Sequence, residues 1–152
     1  MNTRQARLND LPILAPLFDA YRQFYRQPAD LDLAHRFLEA RISRQESVIF
    51  LALDNAESRG LGFVQLYPSF SSVAATPTWI LNDLFVDESA RRQGVARALM
   101  EDARRLALAS DADGLSLSTA TDNLRAQALY DDLGYVRDRE FFNYFLTLSD
   151  DD

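Results

Sequence analysis

No cysteine occurs in this chain, so it can build no disulfide framework, no zinc–thiolate site and no thiol nucleophile. Histidine occurs once, at His35, which excludes a multi-histidine metal centre. The expectation is chemistry with no metal. No apolar run is long enough to span a bilayer, and Met1-Asn2-Thr3-Arg4 lacks the apolar stretch of a secretory signal. The expectation is a cytoplasmic protein with no membrane contact. Positive charge is not in excess either. The net charge of −7 argues against nonspecific nucleic-acid binding and weakly favours cationic partners. Part of it is the terminal run Asp150-Asp151-Asp152, so residues 149–152 read as an acidic tail.

What remains is an ordinary globular composition, with 47% hydrophobic and 11% aromatic residues over 152 positions. That length predicts one domain, residues 1–148, with a core of its own. Residues 3–8 read as a first strand. Asp10 is placed to cap a helix over 11–26, with Pro12 in its first turn and Leu14, Leu17, Phe18 and Tyr21 at helical spacing. A second helix is expected over 31–43. Residues 48–53 and 61–67 read as a hairpin, and the Ser/Pro-rich stretch 68–77 as a loop. The apolar run 79–86 is the central strand, followed by a helix over 95–109, a strand over 115–120 and a helix over 123–133. Gly134 stands where a helix ends. Residues 135–137 and 141–148 read as two closing strands. The fold class is α+β, a mixed, mostly antiparallel twisted sheet flanked by helices.

Two segments carry the chemistry. Arg91-Arg92-Gln93-Gly94-Val95-Ala96-Arg97 joins the central strand to its helix. A helix N-terminus offers unpaired N–H groups and the positive end of its dipole, and small residues there let an anion approach the backbone. The second segment, Asn123-Leu124-Arg125-Ala126-Gln127-Ala128-Leu129-Tyr130 and on to Gly134-Tyr135, reads Asn-x-x-Ala-x-x-x-Tyr-x-x-x-Gly-aromatic. Together, and in this order, they resemble the GNAT superfamily of acyl-CoA-dependent N-acyltransferases. The resemblance is close from Ile80 to Tyr135 and looser over the whole chain. Many members have glycine where this chain has Ala96, and alanine is common there too.

The resemblance implies a GNAT-like fold in which the central strand and the strand at Leu115 splay apart around acetyl-CoA. It implies that the backbone of Arg92, Gln93, Gly94, Val95, Ala96 and Arg97 holds the pyrophosphate. Arg91 and Arg92 either add side-chain charge or form a solvated basic turn. A backbone N–H at Phe85 or Val86 would receive the thioester oxygen. Tyr130 would protonate the departing thiolate, and Asn123 would cap its helix and contact the cofactor. Some polyamine acetyltransferases of the superfamily carry Glu-Asp before the Leu-aromatic-Val stretch, where this chain has Asn82-Asp83. Strand alternation puts these two on opposite faces, so Asp83 acts in the site or is a satisfied buried carboxylate, and Asn82 could orient a water. His35 is a weaker candidate base. Tyr21, Tyr25, Tyr67, Phe70, Trp79 and Tyr144 are candidates to line an acceptor pocket.

The activity this implies is transfer of an acetyl group from acetyl-CoA to a primary amine (a small amine, an amino acid or a peptide amino group) by direct attack. The alternative is a non-catalytic acyl-CoA sensor of the same fold. The aromatics on both faces of 141–146 lead to the expectation of a homodimer.

Overall fold

A computed structural model describes residues 1–149. They divide into two compact units, Met1–Ser118 and a smaller one from Thr119 onward. In the first, β1 (Asn2–Gln5), α1 (Leu11–Phe24), α2 (Leu31–Ser43), β2 (Val48–Leu53), β3 (Gly60–Ser71), β4 (Thr76–Val86), α3 (Val95–Ala109) and β5 (Leu115–Ser116) follow in order. Their five-stranded sheet runs β1-β2-β3-β4-β5. The first three pairings are antiparallel and β4–β5 is parallel, with α3 as the crossover. The mixed, mostly antiparallel sheet with flanking helices is the expected α+β fold.

One face of the sheet carries the core. Leu14, Leu17 and Phe18 of α1 and Ala34 and Leu38 of α2 close over Ile49, Leu51, Leu53 and Phe63. Phe18 stacks on Phe37 at 5.5 Å and leans on Phe63 at 5.9 Å. Neighbouring strand residues face the other way, where Gly62 meets the start of α3. A Cβ at Gly62 would stand 2.6 Å from the Phe85 carbonyl oxygen and 3.2 Å from Val95 Cγ1, so only glycine fits.

Several expectations need correction. The first strand ends at Gln5 instead of residue 8, and Leu8 opens a 3₁₀ turn over Leu8–Asp10. Asp10 stands at the start of α1 but its side chain does not cap that helix. Its carboxylate instead accepts both Arg4 guanidinium bonds at 2.8 Å and the Arg7 N–H at 2.7 Å. The Arg4 bonds hold its carboxyl below the usual range, against the opposing effect of burial. The 68–77 stretch is not a loop: β3 and β4 stay paired out to Ser71↔Thr76, with a turn at 72–75 where Ala75 has φ 56°. Serine and proline composition there hid a ladder that simply continues from its apolar half. The 115–120 strand shrinks to Leu115–Ser116, because β4 and β5 share only the positions Trp79↔Leu115 and Ile80↔Ser116.

The second unit contains α4 (Leu124–Asp132). The two closing strands do not form among its described residues. Strand propensity needs a ladder partner, and the backbone N–H groups of Glu140 and Phe141 go instead to the Asp138 carboxylate, at 2.9 and 3.3 Å. Phe142, Tyr144 and Phe145 are at least 90% exposed. Of the acidic tail, residues 150–152 lie outside the described residues.

Candidate active site

β4 does not alternate as its sequence suggests. Gln65 pairs with Asp83 and the next residue, Leu66, pairs with Leu81, so Asn82 is an extra residue. This is a β-bulge, which bends a strand and re-aims side chains. The expected separation of Asn82 and Asp83 onto opposite faces is thereby lost: Asn82 Nδ2 donates to Asp83 Oδ1 at 3.0 Å.

Asp83 is only 5% exposed and sits at the centre of a polar network on an otherwise apolar face. The Tyr21 hydroxyl, from α1, donates to Oδ1 at 2.8 Å. The fully buried Gln65 donates to Oδ2 through Nε2 at 2.6 Å. All three donors are neutral. Burial first, then the negative charge of Asp83, pushes the Tyr21 hydroxyl far above the usual phenol range. The same two causes push Tyr67 up to about 12. Both phenols stay protonated across the physiological range, as donors rather than bases. The ring of Tyr21 also meets Phe63 at 5.6 Å and Phe85 at 6.0 Å, so the network has aromatic walls.

Beyond Ile80 the outer edge of β4 is unpaired by β5. Which N–H groups face it follows from the ladder. Asp87 N–H donates to Leu61 O at 2.8 Å. Antiparallel alternation then makes Phe85 a hydrogen-bonded partner of Phe63, and turns the N–H and C=O of Val86 away from β3. The Val86 carbonyl indeed receives Arg91 Nε at 3.4 Å. Of the two expected oxyanion donors, Phe85 is committed to the sheet and Val86 is directed to the open edge. The side chains of Phe85 and Val86 are half-buried packing groups.

From Val86 the chain passes through a 3₁₀ turn, Glu88–Ala90, capped by Asp87, into the basic segment. Arg91, Arg92, Gln93 and Gly94 are exposed, with Arg92 at φ 63° and Gly94 at φ 79°. Gly94 is the N-cap of α3 and, as glycine, offers that terminus no side-chain cap. An added Cβ at Gly94 would meet nothing within 4 Å. The glycine is needed for its left-handed backbone, not for crowding. Val95 is buried, Ala96 half-buried and Arg97 exposed, so this helix start is anchored on one side and open on the other.

In the second unit Asn123 caps α4, its Oδ1 accepting Ala126 N–H at 3.2 Å. Gly134, at φ 92°, follows the helix, and Tyr135 N–H returns to Tyr130 O at 3.0 Å. Tyr130 is half-buried with its ring 6.0 Å from that of Tyr135. Burial, then Tyr130, raises the Tyr135 phenol.

The remaining candidates lie elsewhere. His35 faces Glu39 on the surface of α2, Nδ1 to Oε2 3.7 Å. Trp79 Nε1 donates to Ser110 Oγ at 2.8 Å and ties β4 to the end of α3. Phe70 and Tyr144 are exposed, and Tyr25 packs edge-on against Tyr21 at 5.2 Å. Gln65 was not anticipated. Its signal was present, as the one polar side chain in the run Leu61-Gly62-Phe63-Val64-Gln65-Leu66. Among the described residues no cluster of three His, Asp or Glu could hold a metal, and no helix is long and apolar enough to cross a membrane.

Residues 14–135 match the acetyltransferase (GNAT) family. Over 148 residues the chain is 45% identical to the "uncharacterized N-acetyltransferase YhfO" of Bacillus subtilis (strain 168), covering 97% of this chain and 98% of that protein. A crystal structure of a "probable acetyltransferase" superposes with a TM-score of 0.93 at 48% identity, over 99% of both chains. The aminoglycoside N-acetyltransferase AAC(6')-Iy, solved in complex with CoA, shares the fold with a TM-score of 0.80 at 19% identity, over 95% of this chain and 93% of that one. The chain belongs to the GNAT family and is an N-acetyltransferase of it.

Proposed function

We propose that residues 1–148 act as one catalytic domain that moves an acetyl group from acetyl-CoA to a primary amine. The observation that carries this reading is the open edge of β4, with the N–H of Val86 directed outward, a short turn away from the start of α3 at Gly94 in an exposed basic segment. The backbone from Arg92 to Arg97 binds the pyrophosphate, with Arg91 and Arg92 supplying charge, and Asn123 contributes from the start of α4. Hydrogen bonds to charged groups contribute about 1.5–3 kcal/mol each, so three or four anchor a cofactor. Pantetheine adds to β4 as an extra strand would, and the Val86 N–H receives the thioester oxygen. One such donor is typically worth about 2.7–4 kcal/mol.

The proton of the ammonium leaves first, through water held near Asn82 and Asp83. The neutral amine nitrogen then attacks the carbonyl carbon, the C–S bond breaks, sulfur takes the Tyr130 hydroxyl proton, and the second proton of the nitrogen returns through water to the Tyr130 oxygen. No acetyl-enzyme forms. The phenols at Tyr21 and Tyr67 are too weakly acidic to serve as bases. Asn82, where some polyamine acetyltransferases of the superfamily carry glutamate, is the feature that favours the sensor reading. Tyr130 favours turnover, since a pure binder needs no proton donor.

The proton path makes a prediction. Neither Asn82→Ala nor His35→Ala alone abolishes turnover, while Asp83→Asn lowers it more, because it removes the charge at the centre of the network. In all three the rate rises with pH as the free amine fraction grows toward an alkylamine pKa near 10. pH–rate profiles check this. Loss of activity in His35→Ala, together with loss of an apparent pKa near 6.5, makes His35 the base.

A homodimer belongs to the same proposal. Phe141, Phe142, Tyr144, Phe145 and Leu146 are exposed, and a second copy is the cover that an apolar patch of this kind calls for. Light scattering at micromolar concentration is expected to give twice the chain mass of 17.3 kDa; a monomer rejects it.

A further inference from the structure

The 3₁₀ turn Glu88–Ala90 joins β4 to the basic segment, and its course sets where the N–H groups at the start of α3 point. At one end Asp87 N–H donates to Leu61 O at 2.8 Å, and at the other Ala90 is buried. A third hold comes from Arg59, 28 residues before Asp87. Its Nη2 donates to Asp87 Oδ2 at 3.5 Å and to Ser89 Oγ. The Ser89 hydroxyl donates to the same Asp87 oxygen, which also accepts Ser89 N–H at 3.2 Å. Three donors thus converge on one carboxylate oxygen. The Ser89 hydroxyl, ahead of Arg59, holds the Asp87 carboxyl below the usual range, against the opposing effect of burial. Ser89 also reaches forward, its carbonyl accepting Gln93 Nε2 at 3.4 Å, one residue before Gly94.

An isolated ion pair at the surface contributes little, because two mobile side chains must be ordered to make it. Here the backbone that carries the arginine is already fixed. Arg59 N–H donates to Asp54 Oδ1 at 3.1 Å, and Arg59 O accepts Asp54 N–H at 3.1 Å. The next residue, Gly60, lies so close to α1 that a Cβ would stand 2.7 Å from Leu17 Cδ1 and 2.8 Å from Ile13 Cγ2. Arg59 is therefore a strut from the first turn of β3 to the turn after β4, and its half-exposed side chain contributes little packing. Resting on the reading of Arg92 to Arg97 as the pyrophosphate site, we propose that Arg59, Asp87 and Ser89 form a clip that aims the cofactor turn. All three are positioning residues. They act through the backbone of Arg91 to Gly94, and the Gln93 side chain braces the same turn.

The test is a double-mutant cycle read by calorimetry with CoA and by steady-state kinetics. Arg59→Gln should weaken CoA binding and raise KM for acetyl-CoA by about 5- to 20-fold, with kcat at saturating acetyl-CoA within about twofold. Asp87→Asn, which keeps the cap but not the charge, should weaken binding by a similar factor. The double variant should be no worse than the poorer single one, because both remove the same clip. Arg59→Lys should lose less than Arg59→Gln. Thermal melting checks that each variant folds, and where Arg59→Gln does not, Ser89→Ala, which removes the exposed bridging hydroxyl, carries the same expected loss. Unchanged affinity in folded Arg59→Gln, or losses that multiply in the double variant, overturns the clip. A net-charge effect would make Asp87→Asn bind CoA more tightly, and that result overturns it too. Gly94→Val separates the clip from the reading beneath it. If Gly94→Val loses affinity and Arg59→Gln does not, only the clip fails; if neither does, the pyrophosphate site fails with it.

Discussion

Gly94→Val is expected to weaken acetyl-CoA binding by at least about 100-fold, with the fold intact. The reason is conformational. Gly94 has φ 79°, and no neighbour lies within 4 Å of an added Cβ, so valine is opposed by the backbone alone. A left-handed conformation costs an ordinary L-residue about 1–2 kcal/mol and is a genuine outlier for a β-branched one. The turn relieves that cost by rotating its peptides, which re-aims the N–H groups at the start of α3. Two misdirected charge-assisted bonds at about 1.5–3 kcal/mol each are enough for the predicted loss. Gly94→Asn should keep affinity within about tenfold, because asparagine tolerates this region. Calorimetry decides. Unchanged affinity in a folded valine variant removes the anion site from the account.

Tyr130→Phe should lower kcat by about 10²–10⁴-fold, the usual worth of general acid catalysis, with acetyl-CoA affinity nearly intact. Phenylalanine keeps the half-buried ring and its approach to Tyr135, so packing does not account for a loss of this size. Steady-state kinetics alongside binding measurements separate the two effects. Turnover at the wild-type rate returns Tyr130 to a packing role.

The sequence was most legible where local chemistry sets an element's limits. α2 begins where the Asp30 carboxylate accepts Leu33 N–H at 3.0 Å, and α3 begins just after its N-cap Gly94, so both match the expected ranges. The basic turn, the cap at Asn123 and the helix end at Gly134 were legible for the same reason. What depends on pairing between distant residues was not. The bulge at Asn82 exists only in the register of β4 against β3, and no pattern within β4 announces it. With the bulge went the relation between Asn82 and Asp83, and with it the network to Tyr21 and Gln65, which lie 62 and 18 residues away from Asp83. The ladder also separates Val86 from Phe85, which strand position alone could not do. The stretch 141–148 erred the other way. Its composition suits a strand, yet among the described residues it has no partner to pair with.

Thiol release from acetyl-CoA, measured with and without amines and read together with the intact mass of the protein, distinguishes direct acetyl transfer from binding alone. With no cysteine and no lysine, the chain offers few sites for adventitious acetylation. Thiol should be released only when an amine is present, one thiol per N-acetylated amine, and the protein mass should be unchanged after exposure to acetyl-CoA alone. Tight acetyl-CoA binding with no amine-dependent release across small amines, amino acids and peptides, or an acetyl group retained on the protein, would contradict direct transfer.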